Sequence, residues 1–173
     1  MDPIKPSVRE LLSAAGPFAM LLADFRPRDQ QQEMATAIDM ALATGESLLC
    51  EAGTGTGKTL AYLVPALSQG HKTIVSTATK TLQDQLFFRD IPLATKALNS
   101  AVDVALLKGR ANYLCLQRLT MQEGARDLFG HQQRELAKIK AWSEQTVNGD
   151  ITSFADVSDS EVIWSKVTST VDN

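Results

Sequence analysis

Short apolar runs alternate with helix-like stretches along the first 110 residues. The runs predict buried strands at residues 47–50, 73–77 and 102–107. Apolar positions at helical spacing predict helices over residues 58–68 and 81–88. Strands that alternate with helices are typical of a parallel sheet with helices on both faces. The predicted fold class is therefore α/β, although three strands are few for such a sheet.

The N-terminal stretch carries signals for two helices. Ser7 and Glu10 have the spacing of a capping box, which predicts a short helix that ends at Gly16. Residues 17–26 are predicted to be a connector. A longer helix is predicted over residues 28–43, because apolar side chains recur every four residues and a glycine follows.

The pattern becomes helical and then polar towards the C-terminal end. Pro92 is expected to break the helix that precedes it. Helices are predicted over residues 111–123 and 131–146, separated by Gly124 and Gly130. From residue 147 onwards Ser, Thr, Asp and Asn dominate, which predicts turns, and no fourth strand is predicted.

The sequence EAGTGTGKT, at residues 51–59, lies between the first predicted strand and the following helix. Glycines allow successive N–H groups to converge on one anion, and a helix N-terminus adds a positive dipole. Lys58 is expected to reach the β- and γ-phosphates of a nucleotide, and the Thr59 hydroxyl to ligate Mg²⁺. The pattern is Walker A, with Ala52 in place of its first glycine. The residues predicted to hold the phosphates are Gly53, Thr54, Gly55, Thr56, Gly57, Lys58 and Thr59.

Three glutamines, at positions 30–32, stand at the start of the predicted helix upstream of this loop. Gln31 precedes Lys58 by 27 residues. A glutamine amide offers one donor and one acceptor, which match the N6 and N7 edge of adenine. A polar helix start explains the same residues equally well.

A polar segment, STATKTLQDQ at residues 76–85, follows the second predicted strand. It falls at the sheet edge where open α/β sheets bind ligands. Its hydroxyls, amide and lysine suit the phosphates of a nucleic-acid strand. Taken alone, however, the segment favours a capped helix with Thr79 as N-cap and Gln83 one turn later.

The two cysteines, Cys50 and Cys115, do not make a disulfide framework, and a reducing cytoplasm is the expected setting. Cys50 is expected to pack in the core, because it belongs to an apolar predicted strand. A lone cysteine such as Cys115 is also usually a core residue. Its neighbours in KGRANYLC, at residues 108–115, are unusual for a core helix.

Charge is distributed unevenly along the chain. The net charge is −3, yet residues 58–118 carry eight basic and three acidic side chains. This positive excess suits a polyanionic partner, and solvated surface lysines explain it equally well. No apolar run approaches the roughly 18–20 residues of a membrane span. The acidic, proline-containing N-terminus does not have the pattern of a secretory signal.

Four motifs occur in an order that resembles one protein family. They are R-x-x-Q-x-x-M at Arg28, Gln31 and Met34, then EAGTGTGKT, STATKTLQDQL and KGRANYLC. Over about residues 25–118 they resemble the N-terminal part of the XPD-like (DinG-type) superfamily-two DNA helicases. The joint match is far more specific than any single motif.

This resemblance implies both an architecture and a set of site residues. It implies a partial RecA-like P-loop NTPase domain with a parallel sheet over residues 1–110, followed by the start of an iron–sulfur domain over residues 111–173. It implies that Arg28 and Gln31 contact adenine. It also implies that Cys115 is the first of four ligands to a [4Fe–4S] cluster, in place of a core role. The residues it places on the DNA backbone are Thr77, Thr79, Lys80, Gln83 and Arg110.

The function implied by the resemblance is ATP-dependent translocation on single-stranded DNA with unwinding, in the 5′→3′ direction. ATP, Mg²⁺ and the cluster are the implied cofactors, and Lys58 and Thr59 the catalytic residues. No D-E-A-H sequence and no further cluster cysteine follows the third predicted strand. The chain is therefore expected to be an N-terminal fragment that assembles no cluster and hydrolyses little ATP. The alternatives are a non-catalytic ATP- or DNA-binding module and a different P-loop NTPase; no protein partner is indicated.

Overall fold

The computed structural model describes residues 5–123, 130–158 and 161–170. The chain divides into two compact units, Met1–Leu106 and Leu107–Asn173. Each unit has its own cluster of buried apolar side chains. The boundary lies close to residue 110, where the sequence pattern changes, and the predicted identities of the two units stay predictions.

The first unit is built from helices. Their bounds are α1 (Val8–Leu11), α2 (Pro17–Leu21), α3 (Asp29–Thr44), α4 (Lys58–Gln69), α5 (Lys80–Gln85) and α6 (Ile91–Leu98). Helices α3 and α4 confirm the helices predicted over residues 28–43 and 58–68. The predicted capping box of α1 is also confirmed, because Ser7 and Glu10 each bond the other's backbone N–H.

The core of this unit lies where α1, α3 and α4 pack together. Ala35 of α3 and Ala61 and Val64 of α4 are fully buried. Small side chains at these positions let the two helix backbones approach closely. The core therefore fixes the two helices whose N-terminal ends carry the Gln31 and Lys58 motifs.

Helix α2 lies in the segment predicted to be a connector, and that prediction is wrong. Pro17 is the first residue of α2, a position that needs no backbone donor. Phe18 is completely buried, which stabilises this short helix by about 2 kcal/mol. Gly16 is required at the entry, because a Cβ there would lie 2.3 Å from the carbonyl oxygen of Leu11.

The predicted break at Pro92 is also wrong. A π-helical turn, Leu86–Asp90, joins α5 directly to α6, and Ile91 N–H donates to the Leu86 carbonyl. Pro92 falls in the first turn of α6. The π turn shifts the backbone register just before the proline, so the missing N–H interrupts no α-helical ladder.

The three segments predicted as strands do not form strands in the described part of the chain. Leu49 and Ile74, expected inside the protein, are 98% and 92% exposed. Cys50 is exposed as well, so its predicted core role is wrong. A strand needs a neighbour to pair its backbone, and no described segment supplies one here. The predicted parallel sheet is therefore not confirmed.

In the described residues of the second unit, three helices pack around an apolar core that includes aromatic rings. They are α7 (Leu116–Glu123), α8 (His131–Ser143) and α9 (Ile163–Val167), with 3₁₀ turns at Arg110–Asn112 and Ile151–Ser153. Two antiparallel bridges, Tyr113 to Asp150 and Leu114 to Thr168, tie the start of the unit to its end. Trp142 stacks on Phe154, with ring centroids 5.0 Å apart. The prediction of turns alone after residue 147 is wrong, because α9 forms there and its Trp164 is buried in the core. Gly124, predicted to separate two helices, lies outside the described residues.

Candidate functional site

The glycine-rich loop at residues 51–59 has the backbone geometry that its glycines predict. Gly55 and Gly57 adopt left-handed conformations, with φ of 78° and 83°. Helix α4 begins at Lys58, directly after Gly57, and no side chain caps its first turn. The hydroxyl of Thr56 donates to the Gly53 carbonyl at 3.0 Å, which closes the turn. An uncapped helix start behind a glycine turn is suited to an anion.

Lys58 lies across the inside of this loop. Its Nζ atom donates to the carbonyl oxygens of Ala52, at 2.7 Å, and Gly53, at 2.6 Å. Both carbonyls belong to the loop, so the ammonium group is already positioned next to the backbone that would surround a phosphate. Phosphate oxygens are stronger acceptors than neutral carbonyls, so the lysine can exchange its partners for a ligand.

Gln31 and Arg28 both contact the loop. Nε2 of Gln31 donates to the Gly57 carbonyl at 2.8 Å, and the Gln31 residue is 4% exposed. The guanidinium of Arg28 donates to the Gly55 carbonyl. The sequence suggests two roles for Gln31, a polar helix start and adenine recognition. The structure adds a third, because Gln31 supports the loop through a hydrogen bond. The contact of Gln31 and Arg28 with adenine stays a prediction.

Gly57 shows why this contact needs a glycine. A Cβ built on Gly57 would lie 2.1 Å from Nε2 of Gln31. The absence of that side chain creates the space that the amide fills. The sequence offered no signal for the contact, because it joins residues that are 26 positions apart.

Thr59 has a neighbour that the sequence analysis missed. Tyr62 follows Thr59 by three residues on α4, so the two side chains lie on the same face of the helix. Burial raises the pKa of the Tyr62 phenol, the neighbouring Thr59 side chain partly opposes that rise, and the charge of Asp90 adds to it. The spacing of three residues on a helix was the available signal.

The polar segment after residue 76 contains the capped helix. Oγ1 of Thr79 accepts from the Leu82 backbone N–H at 3.2 Å, which confirms the N-cap prediction. Oγ1 of Thr77 donates to the Thr79 carbonyl at 3.2 Å. Lys80 is exposed and Gln83 half-buried. A helix cap and an exposed lysine are compatible with contacts to a phosphate chain, which stay a prediction.

In the second unit, the KGRANYLC motif forms a buried anchor around Lys108. Nζ of Lys108 lies 2.9 Å from Oδ2 of Asp150 and 2.8 Å from Oγ1 of Thr152. The Tyr113 phenol accepts from the Lys108 backbone N–H at 2.9 Å. Burial would raise the pKa of Asp150, but its bonds to Lys108 and Thr152 outweigh burial and hold it below the usual value. No local pattern in the sequence indicates this ion pair.

The other two predicted residues of this motif are placed differently. Arg110 is exposed in a 3₁₀ turn. Cys115 is half-buried, and its backbone N–H donates to the Val167 carbonyl at 2.8 Å. Among residues 5–123, 130–158 and 161–170, no three His, Cys, Asp or Glu side chains are grouped to hold a metal. The residues described here therefore do not fit a [4Fe–4S] cluster, which needs four thiolates.

No helix in the described ranges is both long enough and apolar enough to cross a membrane.

Comparison with known proteins identifies helicase relatives. A family model described as DEAD/DEAH box helicase matches residues 28–147. The chain is 48% identical to "ATP-dependent DNA helicase YoaA" of Escherichia coli (strain K12), over 91% of this chain and 25% of that protein. It is 42% identical to "ATP-dependent helicase DinG" of Mycobacterium tuberculosis (strain ATCC 25177 / H37Ra), over 86% of this chain and 25% of that protein. It is 30% identical to "3'-5' exonuclease DinG" of Bacillus subtilis (strain 168), over 85% of this chain and 16% of that protein. The chain thus spans about a quarter of the length of the first two.

Proposed function

The chain belongs to the DEAD/DEAH box helicase family, and from this we propose that it is the nucleotide-binding part of an ATP-dependent DNA helicase. Membership of the family implies a RecA-like fold. The observation that carries the proposal is the position of Lys58, whose ammonium lies inside a glycine turn at the start of α4. That arrangement suits the phosphate groups of a nucleotide.

The residues of the loop fit ATP with Mg²⁺. The left-handed turns at Gly55 and Gly57 leave no side chain to obstruct a phosphate. Lys58 neutralises charge on the β- and γ-phosphates, and Thr59 offers a hydroxyl oxygen to the metal. Mg²⁺ held through the Thr59 hydroxyl would supply positive charge that stabilises the phosphate groups. Gln31 and Arg28 hold the loop through its backbone carbonyls. Their contact with the adenine base is part of the proposal.

Hydrolysis also requires carboxylates that hold Mg²⁺ and position a water molecule. The 173 residues contain no D-E-A-H sequence. We propose that the remainder of a longer protein supplies these groups. The same remainder would supply strands that pair with residues 47–50 and 73–77, whose apolar side chains Leu49 and Ile74 are exposed here. The sheet would then be parallel.

The proposed polymer substrate is single-stranded DNA, followed in the 5′→3′ direction. In the first unit, Thr77, Thr79, Lys80 and Gln83 lie in and around the first turn of α5 and present polar groups. In the second unit, Arg110 is exposed and is also proposed to contact phosphate. Contacts of this kind go to phosphate, so binding would tolerate any sequence.

Two assays on the 173-residue chain test the proposal together. Equilibrium binding of a fluorescent ATP analogue with Mg²⁺ should show a single site, and a single-turnover assay should show almost no hydrolysis. Absence of nucleotide binding by the folded chain would remove the proposed function. Multiple-turnover hydrolysis would contradict the proposal that the catalytic carboxylates lie elsewhere.

A non-catalytic ATP-binding module is the second candidate, and the missing carboxylate motif favours it for the chain by itself. A longer protein that contains this chain distinguishes the two. Unwinding of a DNA duplex that requires ATP and is abolished by Lys58→Ala supports the helicase, whereas ATP binding without unwinding supports the module.

A further inference from the structure

Two adjacent glutamines in the first turn of α3 bury their amides against different neighbours. Gln31 and Gln32 are both buried, whereas Gln30 is exposed. Successive side chains leave an α-helix about 100° apart, so adjacent residues can reach two different elements. Nε2 of Gln31 donates to the Gly57 carbonyl at 2.8 Å. Nε2 of Gln32 donates to the Leu12 carbonyl at 3.0 Å. The first turn of α3 is therefore held on both sides, by the glycine-rich loop and by the end of α1.

The end of α1 is a fixed point of the first unit. Leu12 directly follows the last residue of α1 and is fully buried, in the same apolar cluster as Val8 and Leu11. The carbonyls at the end of a helix have no donor within the helix, so a donor from outside is needed. Gln32 supplies that donor to Leu12 in a buried setting, where losing a hydrogen bond is costly. The bond thus fixes the first turn of α3 relative to α1.

We propose that Gln32 is a positioning residue for the nucleotide site. By holding the Leu12 carbonyl it fixes the first turn of α3, and in this way it sets Gln31 against Gly57 at the start of α4. The inference rests on the proposed nucleotide function. It makes α1 the support against which the glycine-rich loop is held. Because coupling between two sites is reciprocal, a nucleotide that fixes the loop stabilises α1 in return.

The first test is the binding of ATP and of inorganic triphosphate to the full 173-residue chain. Gln32→Met keeps the length of the side chain and removes the amide donor. We expect both ligands to bind about three-fold or more weakly, the effect of losing one net hydrogen bond. Both should weaken together, because the change acts on the loop and not on the base.

Gln69→Met is the matched control. Nε2 of Gln69 donates to the Asp39 carbonyl at 2.7 Å, so it also ties α3 through a glutamine amide, but far along the helix from its first turn. Gln32→Met and Gln69→Met should both lower the midpoint of urea unfolding. Gln69→Met should bind ATP as the unaltered chain does, so a loss of affinity confined to Gln32→Met reports positioning and not stability.

A double variant shows whether Gln32 acts through Gln31. Once Gln31→Ala has removed the bond to Gly57, the orientation of the first turn of α3 no longer reaches the loop. Gln31→Ala/Gln32→Met should therefore bind ATP no more weakly than Gln31→Ala alone. Residues that act on one another give such non-additive effects, whereas independent defects add.

Hydrogen exchange of the unaltered chain tests the reciprocal effect without any variant. The Leu12 N–H donates to the Val8 carbonyl in α1, and the Ser100 N–H donates to the Thr95 carbonyl at the end of α6 in the same unit. Saturating ATP should slow exchange at Leu12 about three-fold or more beyond any slowing at Ser100, which reports general stabilisation of the unit. In Gln32→Met the additional slowing at Leu12 should disappear.

The outcomes separate this inference from the proposed function. An unaltered chain that binds no nucleotide overturns both. An unaltered chain that binds ATP, with Gln32→Met binding it equally well, overturns the positioning role alone. Additive losses in the double variant also overturn it. If Gln32→Met does not fold, the exchange measurement decides, and equal slowing at Leu12 and Ser100 overturns the positioning role.

Discussion

Nε2 of Gln31 lies 2.8 Å from the carbonyl oxygen of Gly57. This single contact joins the first turn of α3 to the residue that precedes α4. It places Gln31 against the glycine-rich loop at residues 51–59, where the amide N–H donates to a backbone carbonyl. A substitution at either residue should therefore change the conformation of the loop.

Gln31→Ala should weaken binding of ATP and of inorganic triphosphate together. The change removes a buried hydrogen bond that is worth about 1 kcal/mol and leaves the Gly57 carbonyl without it. A role in base recognition alone would weaken ATP and spare triphosphate. Gln30→Ala, at an exposed neighbouring position, is the control. Competition assays with both ligands measure the difference, and unchanged triphosphate affinity would count against the supporting role.

Gly57→Ala should abolish nucleotide binding. The new Cβ would meet Nε2 of Gln31 at 2.1 Å, and the φ of 83° is unfavourable for alanine. Gly45→Ala is the control, because Gly45 also has a positive φ, of 72°, but open space around it. That variant should lose about 1 kcal/mol of unfolding free energy and keep its ATP affinity. Equal ATP affinities in the two variants would show that the close approach to Gln31 is unimportant.

Lys108→Met should strongly destabilise the second unit. Removing one member of a buried ion pair typically costs about 3–5 kcal/mol, because the remaining charge is left without its partner. Lys108 and Asp150 are well shielded, with side chains 4% and 12% exposed. Arg134→Met, at an exposed position of α8, should cost less than about 0.5 kcal/mol. Urea unfolding followed by Trp142 and Trp164 fluorescence gives both values, and similar midpoints would refute the anchor.

The same ion pair predicts a pH dependence. The folded-state pKa of Asp150 is lowered, so its contribution to stability is fully present above the unfolded value of about 3.9 and is lost as the pH falls below it. The free energy of unfolding of the second unit should decline in that acid range. Asp150→Asn should be less stable at neutral pH and show a shallower decline, and an unchanged slope would contradict the assignment.

Lys80→Ala should reduce the salt dependence of single-stranded DNA binding in a longer protein that contains this chain. Each released phosphate counterion contributes about 0.7 to the log–log slope, so the slope should fall by up to about that amount. The loss should be the same for all DNA sequences, because no base edge is read. Lys96→Ala, exposed on α6, should leave the slope unchanged. An unaltered slope for Lys80→Ala would remove α5 from the DNA path.

Local signals in the sequence predicted much of the first unit. The Ser7–Glu10 capping box, α3, α4 and the glycine turn at Gly55 and Gly57 depend on neighbouring residues, so a pattern of a few positions defines them. The predicted strands are not present in the described residues for the opposite reason. Leu49 and Ile74 have strand-like neighbours, but a strand exists only when another segment pairs with it.

Long-range contacts explain the remaining differences in the site. Lys108 and Asp150 are 42 positions apart in the chain, and nothing near either residue indicates a buried ion pair. The contact of Gln31 with Gly57 is hidden in the same way. The helical spacing of Tyr62 from Thr59 is visible in the sequence, whereas no sequence pattern indicates the π turn at Leu86–Asp90.

The most direct test of the account is the ATP affinity of Lys58→Ala, measured by titration calorimetry with Mg²⁺ on a chain shown to be folded. The lost contact is charge-assisted and worth about 1.5–3 kcal/mol, so the affinity should fall by roughly ten-fold or more. Lys72→Ala, an exposed lysine away from the loop, should bind as the unaltered chain does. Equal ATP affinity in folded Lys58→Ala and Lys72→Ala would show that the glycine turn at the start of α4 is not the nucleotide site.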